Sequence, residues 1–127
     1  MILRLGWSFN LIPPEMEIMK ALLIVTTTDS ESLARRIASA LVEAGEAACV
    51  NVVPGVRSIY RWEGKVCDER EFLLMIKTTA DKWEAVRSRI RQLHSYQVPE
   101  VIALSITAGD PDYLSWLGEQ VKTANAE

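Results

Sequence analysis

A single histidine, His94, and two cysteines, Cys49 and Cys67, are all the imidazole and thiol that these 127 residues offer. One histidine excludes an intrachain pair of His ligands and any H-E-x-x-H zinc site. The chain also lacks a Walker loop, a G-x-G-x-x-G turn and the glycine-rich setting of a nucleophilic serine. With no nucleophile–base pair in view, the expectation is a protein that is not an enzyme. No run approaches the roughly 18 apolar residues of a membrane helix, so no membrane partner is expected. A net charge of −3 without a basic block argues against nucleic acid as a partner. Neither a signal peptide nor a disulfide framework is visible, and free thiols point to a cytoplasmic protein.

What is present suits one domain, with 49% apolar and 24% charged residues around a single core. Residues 1–18 read as an N-terminal extension: Pro13-Pro14 breaks any helix, and Met16 and Met19 suggest that the upstream start is secondary. Residues 19–127 read as the domain. Lys20–Thr27 is a nearly continuous apolar run, as in a strand covered on both faces. Thr28-x-x-Glu31 reads as a capping box that opens a helix with Leu33, Ile37, Ala40 and Leu41 on one stripe, stopped by Gly45. A second helix opens after Thr79, carries Trp83, Val86, Ile90 and Leu93 on one face, and ends near His94. Glu100–Thr107 is a fourth strand, and Asp110-Pro111 caps a short last helix.

Between the helices lie two extended runs, Ala47–Tyr60 and Lys65–Lys77, rich in Val, Ile, Tyr and Phe. A three-residue loop Trp62-Glu63-Gly64, with Gly64 left-handed, makes Arg61 face Lys65, Ile59 face Cys67 and Arg57 face Glu69. Pro54-Gly55 predicts a bulge in the first arm. At about 3.3 Å per residue the arms reach roughly 43 Å, against roughly 21 Å for a fourteen-residue helix. The helices of one subunit cannot cover such a ribbon, so other subunits must. The element order predicts an α+β, ferredoxin-like βαββαβ sandwich with a long β2–β3 hairpin and a short C-terminal helix.

The cluster richest in chemistry is His94-Ser95-Tyr96-Gln97-Val98-Pro99-Glu100, which offers imidazole, phenol and carboxylate at a helix end. It reads either as a Cu²⁺ ligand or as a capping His beside a Tyr that closes a loop. Cys49, inside Ala47-Ala48-Cys49-Val50, reads as a buried thiol.

Several stretches resemble the CutA family of divalent-cation tolerance proteins. They are Ala47-Ala48-Cys49-Val50-Asn51, Pro54-Gly55-Val56, Tyr60-Arg61-Trp62-Glu63-Gly64-Lys65, Lys77-Thr78-Thr79, His94-x-Tyr96-x-x-Pro99-Glu100 and Asp112-Tyr113-Leu114-x-Trp116-Leu117. The resemblance spans about residues 20–121 and implies a homotrimer joined through the long hairpins. It implies a role in tolerance of copper and other divalent metal ions, with Cys49 and His94 at the positions of metal-binding side chains. No cofactor is obligatory in this reading, and Cu²⁺ or another divalent metal is the candidate ligand. Tyr60, Trp62, Lys77, Tyr96 and Glu100 are candidates for the clefts between subunits. The chain has Ser95 where the family usually writes proline, and Thr26 where some members carry cysteine. The second reading is a trimeric signalling module similar to PII proteins, with a small ligand in those clefts; the tight Trp-Glu-Gly turn favours the first.

Overall fold

Strand β1 (Ala21–Thr28) is the axis of the sheet. It pairs antiparallel with β3 (Lys65–Thr79) on one side and with β4 (Ile102–Ser105) on the other, and β2 (Cys49–Trp62) completes the order β2-β3-β1-β4. Helices α1 (Glu31–Glu43), α2 (Trp83–Leu93) and α3 (Pro111–Gln120) fill the connections and the C-terminal end. This is the expected ferredoxin-like arrangement. The computed structural model describes residues 20–121, so the expected extension over residues 1–18 lies outside the described residues.

The pleat of β1 divides the interior in two. Leu22 and Ile24 point to one face, where they meet Leu74 and Ile76 of β3, Ala34, Ile37 and Leu41 of α1, and Val86 and Ile90 of α2. Ala21 points the other way and packs on Leu117 and Val121. Each fully buried Leu or Ile contributes roughly 1.5–3 kcal/mol. Thr26 also faces the main core, and its hydroxyl has no hydrogen-bond partner among the described residues.

The helix termini follow local chemistry. The N-cap of α1 is Ser30, whose hydroxyl accepts the Leu33 N–H at 3.0 Å, and not Thr28, which instead donates to the Ser30 carbonyl. The helix therefore begins two residues later than a Thr28 cap requires. Gly45, at φ 72°, ends it: the Gly45 N–H returns to Val42 and the Glu46 N–H to Leu41, a Schellman motif. Asp110 caps α3 by accepting the Asp112 and Tyr113 N–H groups, with Pro111 in the first turn, as expected. Strand β4 is shorter than Glu100–Thr107, pairing with β1 only from Ile102 to Ser105.

The hairpin corrects the expected register in its outer half. The turn has two residues, Glu63 at φ 50° and Gly64 at φ 80°, so Trp62 faces Lys65. Two successive left-handed residues mark a type I′ turn, whose twist matches that of the strands. Tyr60 consequently faces Cys67, Ser58 faces Glu69 and Arg57 faces Arg70. Arg57 relieves that like-charge pair by reaching diagonally to Asp68 at 3.4 Å. The inner half keeps the expected register, with Val53 facing Leu73 and Cys49 facing Lys77. The bulge predicted at Pro54-Gly55 is present and absorbs the one-residue offset. Both cysteines are free and lie far apart along the ladder.

β1 ends opposite Phe72, yet β2 and β3 continue to Trp62 and Lys65. Seven rungs of two-stranded ribbon, about 23 Å, therefore stand clear of the described sheet. Ile59 and Val66 on this ribbon are each 67% exposed.

The left-handed turn is testable. A Cβ at Gly64 would meet nothing within 4 Å, so Gly64→Ala is expected to destabilise through backbone strain alone, by about 1–2 kcal/mol. Glu63→Asn is expected to stabilise slightly, since Asn tolerates this conformation better. Thermal unfolding of the two variants checks both signs, and a neutral Gly64→Ala contradicts the two-residue turn.

Candidate functional site

The connector over residues 94–101 leaves the end of α2, passes the end of β1 and walls the space beside the projecting ribbon. His94 anchors it. Its backbone N–H closes the last turn of α2 on the Ile90 carbonyl. Its Nε2 lies 2.7 Å from the Thr27 carbonyl, and its Nδ1 accepts the Tyr96 N–H at 3.1 Å. A carbonyl can only accept and a backbone N–H can only donate, so the ring is the neutral tautomer with its proton on Nε2. The single imidazole thus ties the helix end to β1 and shapes the turn at Tyr96. The rings of His94 and Tyr96 lie 4.6 Å apart between centroids.

Tyr96 reaches from this turn to the ribbon, where its hydroxyl donates to Glu71 Oε2. Glu71 is buried, only 4% exposed. Burial first, and then the Glu71 carboxylate, hold the Tyr96 hydroxyl well above the usual phenol range. A second pair repeats the pattern nearer the tip: Tyr60 donates to Glu69 Oε1 at 2.8 Å. That hydrogen bond is the main reason the Tyr60 hydroxyl is pushed up to about 12. Glu69 and Glu71 are two residues apart on β3 and therefore share a face.

Together these groups line a cleft of about 550 Å³. Of the residues singled out from sequence, Tyr60, Trp62, Tyr96 and Glu100 meet on its walls. Lys77 does not. It stands at the opposite end of the ladder beside Cys49, with Nζ 3.9 Å from Sγ and bonded to Asn51 Oδ1. His94 lies behind Tyr96 with both nitrogens engaged, and Cys49 sits on the far side of β3 from β1, opposite Lys77. His94 and Cys49 therefore do not share a site. Among the described residues, no three His, Cys, Asp or Glu side chains converge as a metal site. Sequence reasoning missed Glu69 and Glu71. Their two-residue spacing on an extended arm was the available signal, and the three-residue loop assigned Glu69 to Arg57 instead.

A family model described as CutA1 divalent ion tolerance protein matches residues 22–120. The chain belongs to this CutA1 family. The divalent-cation tolerance protein CutA of Thermus thermophilus is 50% identical over 96 residues, covering 76% of this chain and 93% of that one. Protein CutA, chloroplastic, of Arabidopsis thaliana is 42% identical over 97 residues, and the match spans 53% of its length. The crystal structure of CutA1 from Oryza sativa shares the fold at a TM-score of 0.80 and 38% identity, covering 84% of this chain and 97% of that one. The CutA1 match includes every cleft residue as well as both core helices. The family is named for ion tolerance and not for a reaction.

The Tyr96–Glu71 contact leads to an alkaline test. A phenol whose folded pKa is raised stabilises fully below its unfolded value, near about pH 10, and loses that contribution as pH rises toward the folded value. Tyr96→Phe should therefore flatten the alkaline fall in stability. At neutral pH it should cost about 1–3 kcal/mol, by stripping a donor from a buried carboxylate. Urea unfolding of parent and variant across this range is the measurement, and parallel pH curves contradict the assignment.

Proposed function

We propose that the chain acts in tolerance of divalent cations, copper in particular, as a cytoplasmic homotrimer without catalytic activity. The observation that carries the assembly is the ribbon projecting beyond β1, with Ile59, Val66 and Trp62 exposed along it. A lone two-stranded ribbon is marginal in water, and apolar side chains on an open ladder favour a second chain. β4 adds a further exposed apolar strip, Ile102 and Leu104, at the opposite edge of the sheet. The number three comes from the likeness to the family and not from this geometry.

Light scattering coupled to gel filtration should give three times the chain mass of 14.2 kDa. Ile59→Asp and Val66→Asp change side chains that the subunit itself leaves exposed, so they should lower the mass while leaving the far-ultraviolet circular dichroism intact. A parent chain that runs as a monomer at micromolar concentration refutes the trimer.

The ion is held weakly in this proposal. For His94 to take Cu²⁺ it must surrender either the Tyr96 N–H or the Thr27 carbonyl, and among the described residues no three His, Cys, Asp or Glu side chains converge as a metal site. Useful affinity needs several convergent ligands, and protons compete for the same lone pair. Calorimetry should therefore show weak Cu²⁺ binding that fades on acidification, falls in His94→Ala and changes less in Cys49→Ala. If His94→Ala binds copper as well as the parent, the imidazole is a structural tie only.

A further inference from the structure

We draw no further inference here: the strongest candidate, the cleft walled by the projecting ribbon and the connector over residues 94–101, lies on the ribbon already assigned to contacts between subunits, and nothing in the structure shows what covers it.

Discussion

The structure depends on a mismatch of lengths. β3 has fifteen residues, β2 fourteen and β1 eight, so the central strand cannot accompany the hairpin to its tip. Everything within reach of β1 is ordinary ferredoxin-like packing, with two helices over one face and a short third helix on the other. Beyond Phe72 no third strand of the described residues pairs with the ribbon. It survives there as a ladder closed by a favourable turn, with cross-strand contacts that include Arg57–Asp68 and Tyr60–Glu69. The connector over residues 94–101 supports it on one flank, where Tyr96 donates to Glu71.

That flank rests on one imidazole. His94 could have ended α2 as a charged group facing the helix dipole, and its position in sequence suggests that role. The fold uses it otherwise. With the proton on Nε2 directed at Thr27 and the Nδ1 lone pair directed at Tyr96, the ring acts as a neutral clamp. The clamp places the Tyr96 hydroxyl on Glu71, and that contact is what brings the connector against the ribbon. A second brace works farther back. Arg89 on α2 pairs through two nitrogens with Glu46, just after α1, which fixes the two core helices to one another.

How much of this was legible follows from the range of each interaction. Periodicity and caps are local, so the element order, the Gly45 stop and the Asp110 cap could be read directly. The bulge was legible because Pro54-Gly55 suits few other places inside a strand. The outer register was not. Glu63 in a left-handed conformation is disfavoured for a residue with a Cβ, and only the twist of the finished ribbon makes a two-residue turn the better choice. That one-residue difference moved Glu69 from Arg57 to Ser58, and with it hid the acidic wall of the cleft. His94 was visible as a candidate, but its partner at Thr27 is 67 residues away in sequence, and no local pattern reports it.

The same hydrogen bonds limit how a divalent ion could be held. Tight capture of a small divalent ion calls for lone pairs that converge on a point, and the only imidazole has already spent both nitrogens on the fold. Glu69 and Glu71, on one face of β3, are engaged by tyrosines from different elements, Tyr60 on the ribbon and Tyr96 on the connector. Each hydrogen bond occupies one carboxylate oxygen, and the second of them also keeps the connector in place.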